Sequence, residues 1–304
     1  MTTTPTTTPT PTPTRKTIDA VLPAPAPHWV GDGFPVRTMF SVGQHGPDAI
    51  TPFLMLDLAG PHGFDPDPTG APRGVDAHPH RGFETVTILY KGELEHRDSA
   101  GGAGRLGPGD VQWMTAGAGI VHEEKHSAAF TKSGGTLEMV QLWVNLPRSD
   151  KNAPPRYQDI AAGDIPSVEL PEGAGSLRVM AGEYQGACGA ASTFTPMDVW
   201  DLALNAGASA SLTLPEGRTA IVLVLRGAAA VGDAQLTAPQ GVALTREGSA
   251  FEVAAGPEGA LVLVLSGRPI DEPVFAHGPF VLSGPDELGA AIADYRAGRM
   301  GRLD

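Results

Sequence analysis

Histidines in the first half of the chain have a spacing that suits a metal site built on β-strands. Residues i and i+2 of a strand project from one face, so His78 and His80 can hold one ion between them. His122 and Glu124 repeat that spacing further along the chain. Three imidazoles and one carboxylate form a mixed nitrogen and oxygen ligand set that suits divalent iron, nickel, copper or zinc. One His-x-His pair is usually an ordinary hydrogen-bonded pair, but two pairs of potential ligands at i, i+2 spacing in one region favour a metal site.

Other polar residues of this region compete for roles in the same site. Glu84 follows His80 by four residues, so strand parity alone cannot separate it from Glu124 as the carboxylate ligand. A carboxylate that does not bind the ion can still orient a ligand imidazole from behind. Glu84, His96 and His126 are therefore candidates for supporting residues around the ion, although an ordinary polar or surface role fits each of the two histidines better.

Composition indicates strands as the elements that carry these residues. The chain has 304 residues, 41% of them hydrophobic and only 6% aromatic, with 39 glycines and 29 prolines. Such a chain can bury a core, and its many Gly and Pro residues favour short strands joined by tight turns. We therefore predict an all-β fold.

Charge and cysteine content limit the partners and the compartment. A formal net charge of −13 repels phosphate backbones and anionic membrane surfaces, so we expect no direct nucleic-acid binding and no membrane binding. The single cysteine, Cys188, excludes an intrachain disulfide and fits a reducing compartment. Neither a secretory leader nor a membrane-spanning run is recognisable. The prediction is a cytoplasmic monomer.

The sequence divides into four segments. Residues 1–27 are rich in Thr and Pro and predict a disordered tail. Residues 28–150 predict a metal-binding domain of strands, residues 151–175 a linker, and residues 176–304 a second domain of strands with a closing helix that starts after Ser283 as its N-cap.

The two domains show a sign of internal duplication. Residues 84–92 and 219–227 both run apolar residues into a basic residue and a Gly turn, which suggests that one domain is a copy of the other. The 135-residue shift between them aligns His78 and His80 with Thr213 and Pro215, which are unsuitable ligands. We therefore expect the second domain to lack a metal.

Long motifs of this chain closely resemble the pirin family of the cupin superfamily. Residues 76–87 (DAHPHRGFETVT) and 109–122 (GDVQWMTAGAGIVH) carry the resemblance, and the C-terminal sequences EPVFAHGPF and AAIADYR extend it over everything except the tail. The resemblance implies two tandem cupin-type β-barrels, a bicupin, of which only the first binds metal, through His78, His80, His122 and Glu124. The general cupin pattern would use Glu84 and an Asn in place of His126, and often has Pro where Thr115 stands, so the pirin pattern fits better.

The resemblance also implies an activity. Some bacterial pirin-like proteins resemble quercetin 2,3-dioxygenases, which open a flavonol ring with O2 and release carbon monoxide. One divalent metal per chain, Fe(II) or else Ni, Cu, Zn or Mn, would then bind the flavonol or a similar small aromatic substrate, and Glu124 would accept its proton. Phe53, Phe83 and Met114 are candidate pocket residues. The alternative functions are a non-enzymatic, metal-dependent regulator that binds a transcription factor or a metabolic enzyme, and another cupin activity such as an isomerase.

Overall fold

The computed structural model describes residues 14–303 and consists mainly of antiparallel β-strands. In the N-terminal part the elements are β1 (Ile18–Leu22), β2 (His28–Val30), β3 (Phe34–Ser41), α1 (Val42–His45), α2 (Pro47–Ile50), β4 (Phe53–Phe64), β5 (Gly74–His80), β6 (Phe83–Lys91), β7 (Leu94–Asp98), β8 (Ala103–Leu106), β9 (Val111–Thr115), β10 (Ile120–His126), α3 (Ala128–Ser133), β11 (Gly135–Asn145) and β12 (Arg156–Ile160).

The C-terminal part continues the same pattern. After a 3-10 turn at Ala162–Asp164 come β13 (Ser167–Glu169), a 3-10 turn at Pro171–Gly173, β14 (Gly175–Ala181), β15 (Glu183–Tyr184), β16 (Ala187–Cys188), β17 (Met197–Leu204), β18 (Ser209–Thr213), β19 (Thr219–Val231), β20 (Ala234–Thr237), β21 (Gln240–Leu244), β22 (Ala250–Gly267), β23 (Phe275–His277), β24 (Phe280–Leu282) and α4 (Pro285–Arg296). The predicted all-β, two-domain architecture is confirmed. We call residues 28–160 the N-terminal unit and residues 167–303 the C-terminal unit.

The two units share one strand order. The N-terminal unit has a seven-stranded sheet in the order β12-β9-β6-β11-β4-β3-β2 and a four-stranded sheet in the order β5-β10-β7-β8. The main sheet of the C-terminal unit runs β1-β21-β19-β22-β17-β14-β13, so β19 takes the place of β6 and β22 the place of β11. The two similar segments, residues 84–92 and 219–227, begin in β6 and in β19. Because these strands take the same place in the two sheets, their correspondence supports an internal duplication.

The edge strand of each main sheet comes from the segment of chain just before the other unit. Strand β1 precedes the N-terminal unit but pairs with β21, whereas β12 precedes the C-terminal unit but pairs with β9. The predicted disordered tail therefore ends earlier than residue 27, because Leu22 is buried and its strand has a distant partner. Residues 1–13 of that tail lie outside the described residues. The predicted linker, residues 151–175, likewise contains β12 and β13.

One of the two large core clusters lies between the two main sheets. Val86 and Ile88 of β6 belong to it together with Ile221 and Leu223 of β19. Side chains alternate between the faces of a strand. Phe83, Thr85 and Thr87 therefore lie on the opposite face of β6, which faces the four-stranded sheet. Because both faces are covered, β6 is buried along nearly its whole length.

The last helix packs on the N-terminal unit. Leu288 and Ile292 of α4 pack with Val121 of β10, so the predicted closing helix reaches the sheet that carries the histidines. Its N-cap is Gly284 and not the predicted Ser283, whose backbone N–H instead donates a hydrogen bond to the Glu287 carboxylate at 3.1 Å. No helix among residues 14–303 has the length and apolar character needed to cross a membrane.

Candidate metal centre

Three of the predicted ligands converge in the N-terminal unit. His78 and His80 lie on β5 and His122 lies on the neighbouring strand β10, and one nitrogen from each imidazole lies within 4.8 Å of the others. The Nε2 atoms of His78 and His80 are 3.1 Å apart. The ring of His122 lies 4.4 Å from that of His78 and 4.9 Å from that of His80, centroid to centroid.

Strand pairing and one glycine create this arrangement. In the antiparallel ladder of β5 and β10, His122 lies directly opposite His78, and His80 follows on the same face two residues later. The turn that follows β5 contains Gly82, whose φ of 87° is a conformation that favours glycine. A Cβ atom at Gly82 would also lie 2.0 Å from the carbonyl oxygen of Val281, so the close approach of β24 requires glycine there.

Burial keeps two of the imidazoles neutral. His80 and His122 are only 4% and 0% exposed, and this burial lowers the pKa of each well below its usual value. The nearby imidazoles lower both pKa values further, because a second positive charge in the cluster is unfavourable. Neutral imidazoles present the lone pairs that a divalent cation needs.

The polar atoms of the cluster fit an ion as their common partner. Both ring nitrogens of His122 are buried and have no hydrogen-bond partner within residues 14–303. The Nδ1 atom of His78 hydrogen-bonds the backbone carbonyl of Asp76 at 2.9 Å, which leaves Nε2 free to point at the cluster. Two nitrogens bound to one ion at about 2.1 Å and at a right angle are about 3.0 Å apart, close to the observed separation of the His78 and His80 nitrogens.

Glu124 lies next to this triad, on the same face of β10 as His122. Its Oε1 atom accepts a hydrogen bond from Thr87 at 3.4 Å, and it lies opposite His96 of β7. Burial raises the pKa of Glu124, while the nearby imidazoles of His78 and His96 and hydrogen bonds from Thr87 and Gln141 act in the opposite direction. The carboxylate is thus held by polar side chains that line the interior of the unit.

The parity prediction for Glu84 is wrong. Its Oε1 atom accepts a hydrogen bond from Thr115 at 2.7 Å, across the β6–β9 ladder, and this contact lies on the face that carries Val86. The turn at Gly82 separates β5 from β6, so strand parity does not continue from His80 to Glu84. Burial raises the pKa of Glu84 to about 7, because its hydrogen bonds and the nearby Arg156 only partly offset the loss of water.

His96 and His126 have different surroundings. The imidazole of His96 stacks on Tyr157 at 4.8 Å and lies near His122 and Glu124, so it does adjoin the triad. The imidazole of His126 instead hydrogen-bonds the carbonyl of Gly33 at 3.0 Å and packs among aromatic rings, namely Phe34, Phe64 and Phe130. These contacts give His126 a structural role in the core.

An aromatic wall borders the triad on one side. The ring of Phe83 lies 5.1 Å from that of His80, and Trp143 lies 5.3 Å from the same imidazole and 4.4 Å from Phe83. Of the candidate pocket residues, Phe83 is thus beside the triad, whereas Phe53 lies in the core between the units and Met114 packs with Ile120.

Sequence reasoning missed Trp143 together with the polar pair Thr87 and Gln141. Thr87 donates a hydrogen bond to Gln141 at 2.7 Å, and both side chains face Glu124. The alternation in Glu-Thr-Val-Thr-Ile was a usable signal for Thr87, because its polar residues recur with the strand period. Gln141 and Trp143 lie on β11, whose pairing with β6 is a long-range contact that the sequence does not announce.

Comparison with known proteins gives consistent matches along the chain. The family model described as Pirin matches residues 33–144, and the model described as the Pirin C-terminal cupin domain matches residues 199–301. A Pseudomonas aeruginosa protein, whose name proposes a quercetin 2,3-dioxygenase, is 56% identical over 275 residues, which cover 90% of this chain and 94% of that protein. Human pirin is 36% identical over 275 residues, covering 89% and 90% of the two chains.

A solved structure matches the whole architecture. The crystal structure of a quercetin 2,3-dioxygenase from Acinetobacter baumannii superposes with a TM-score of 0.92 at 48% identity, over 96% of this chain and all of that one. The predicted pair of cupin-type domains is therefore confirmed.

Proposed function

The chain belongs to the pirin family, and from this membership we propose that it is a metal-dependent dioxygenase that acts on flavonols such as quercetin. The observation that carries the proposal is the convergence of three imidazoles within 4.8 Å of one another, beside an aromatic wall. The names of the Pseudomonas and Acinetobacter relatives support quercetin as the substrate to test first.

His78, His80 and His122 would hold the ion, with Glu124 as a fourth ligand. We propose Fe(II), because a histidine and carboxylate set with open positions suits non-haem iron, and nickel, copper, zinc and manganese are the other candidates. When bound, the ion supplies Lewis acidity toward the flavonol hydroxyl and redox chemistry toward O2. His78, which is the partly exposed member of the triad, marks the side open to solvent.

Glu124 is proposed to accept the proton of the flavonol 3-hydroxyl. Thr87 and Gln141 hold its carboxylate from the interior of the unit, which fixes its direction relative to His78. A carboxylate placed in this way can take a proton from a group bound at the triad without a large rearrangement. Its two proposed roles are separable, because Glu124→Gln keeps a ligand oxygen but removes the base.

The aromatic wall is proposed to bind the flat flavonol. Phe83 is fully buried, whereas Trp143 is half-buried beside His80, so the indole can contact a ring that enters from solvent. Offset contacts between aromatic rings contribute about 0.5–1.5 kcal/mol beyond the burial of area. Closure of this apolar side around the substrate would also exclude water from the reacting atoms.

The test starts from protein purified without chelators. Elemental analysis should find about one ion per chain in the parent and none in His80→Ala, while His277→Ala, which changes an exposed histidine, should keep the ion. Quercetin absorbance in air should then decay with the parent and with His277→Ala only. Metal binding without turnover of quercetin would refute the flavonol activity and favour the regulatory function, and a parent that stays empty after iron is supplied would refute the metal site.

A further inference from the structure

Lys151 is a buried lysine whose ammonium group lies beside the turn that follows His80. It is only 2% exposed. Its Nζ atom donates three hydrogen bonds, to the carbonyl of Gly82 at 2.9 Å, to Oδ1 of Asn145 at 2.8 Å and to the carbonyl of Val281 at 3.0 Å. An ammonium has three N–H donors, so this set satisfies all of them.

The three acceptors belong to separate parts of the chain. Gly82 lies in the turn between β5 and β6, Asn145 ends β11, and Val281 lies in β24 of the C-terminal unit. The same turn is tied to β24 by backbone bonds, since the N–H of Arg81 donates to Pro279 at 3.2 Å and the N–H of Val281 donates to Arg81 at 3.0 Å. The chain leaving His80 is therefore held from the C-terminal unit.

Burying a charged side chain in this space costs desolvation free energy. All three acceptors are neutral oxygens, and burial lowers the pKa of Lys151 to about 8, although Glu272 and Glu287 act in the opposite direction. A methionine of similar length would avoid desolvating an ammonium, but it would leave the three buried oxygens without this donor. The ammonium holds all three oxygens within hydrogen-bond distance of one atom.

We propose that Lys151 is a positioning residue for the metal centre: by holding the Gly82 carbonyl it fixes the end of β5 and thereby the direction of the His80 imidazole. The inference rests on the proposed metal binding. Groups behind metal ligands have measurable effects, since their removal costs about 10- to 100-fold in metal affinity.

The chain offers a matched control in Lys16. It is 3% exposed, and its Nζ atom bonds two backbone carbonyls, Thr245 at 2.8 Å and Arg246 at 3.2 Å. These contacts lie on the C-terminal unit, away from the triad. Lys16→Met and Lys151→Met therefore each remove the ammonium group of an almost inaccessible lysine, more deeply buried in Lys151 than in Lys16, and only Lys151 lies beside the ligand strand.

The experiment measures Ni²⁺ and Co²⁺ dissociation constants by calorimetry, the Co²⁺ visible spectrum, and thermal unfolding of the metal-free proteins. We expect both variants to be less stable, but only Lys151→Met to bind Ni²⁺ about 10- to 100-fold more weakly and to show a changed Co²⁺ spectrum. Equal affinity and an unchanged spectrum in Lys151→Met would overturn the inference while leaving the metal site intact. A parent that binds neither ion would instead overturn the proposed function and this inference with it.

Asn145→Leu serves if Lys151→Met does not fold. It removes one of the three acceptors and keeps the lysine. A several-fold weaker Ni²⁺ affinity is expected, and an affinity equal to that of the parent would contradict the positioning role.

Discussion

Glu84 should make the protein less stable as the pH rises from about 4.5 to about 7. Its carboxyl group is fully buried, and its pKa is raised from 4.5 to about 7. Below pH 4.5 the group is neutral in both the folded and the unfolded chain, so it has no cost. Between 4.5 and about 7 the unfolded chain loses the proton first, so the free energy of unfolding falls as the pH increases, and above that range the full cost remains.

The magnitude follows from the pKa difference. One pKa unit corresponds to about 1.4 kcal/mol, so the complete effect is about 3 kcal/mol. Glu84→Gln is neutral at every pH and keeps an oxygen that can accept the hydrogen bond from Thr115. The stability of this variant relative to the parent should therefore grow by about 2–3 kcal/mol between pH 5 and pH 8.

Urea unfolding at pH 5, 6, 7 and 8, followed by circular dichroism on metal-free protein, measures this difference. Glu252→Gln, which changes an exposed carboxylate, is the control and should follow the parent at every pH. A difference between Glu84→Gln and the parent that stays constant within about 0.5 kcal/mol would refute the reasoning, because it would mean that Glu84 ionises equally in both states.

Three further changes test the histidine triad, the aromatic wall and the docking of strand β1. His122→Ala should abolish metal binding in elemental analysis without changing the far-ultraviolet circular dichroism, because it deletes a fully buried ligand; retained metal would contradict the triad. Trp143→Ala should raise the KM for quercetin about 10-fold with little change in kcat, as steady-state kinetics can show. Leu22→Ala should cost about 2–5 kcal/mol in urea unfolding, since its side chain lies in the core between the units; no cost would mean that β1 is not docked.

Local spacing was sufficient to find the three imidazoles. His78 and His80 share a face because they lie two residues apart on one strand, and this relation needs no knowledge of the rest of the fold. The same rule failed for Glu84, because it holds only while the strand continues, and Gly82 interrupts the strand two residues earlier. After a glycine that is followed by an apolar run, the assignment of residues to strand faces must therefore start again.

Long-range pairing accounts for what the sequence did not predict. The sequence of Ile18–Leu22 looks like part of a low-complexity tail. The segment nevertheless pairs with β21, which lies more than two hundred residues later in the chain. Lys151 gave no signal either, because two of its three acceptors, the carbonyls of Gly82 and Val281, lie 69 and 130 residues away along the chain. Such contacts depend on the register of the whole sheet, which composition and periodicity do not encode.

The C-terminal unit is therefore part of the construction of the candidate metal centre. One face of β6 packs Val86 against the main sheet of the C-terminal unit, while Thr87 on the other face holds Glu124. The turn after His80 is fixed by Lys151 and by β24, and α4 covers β10 from outside. Loss of the contacts with β24 would free the end of β5, and loss of α4 would free β10. Because ligand geometry must be held within about 0.5 Å, residues 28–160 alone should not retain a high-affinity site.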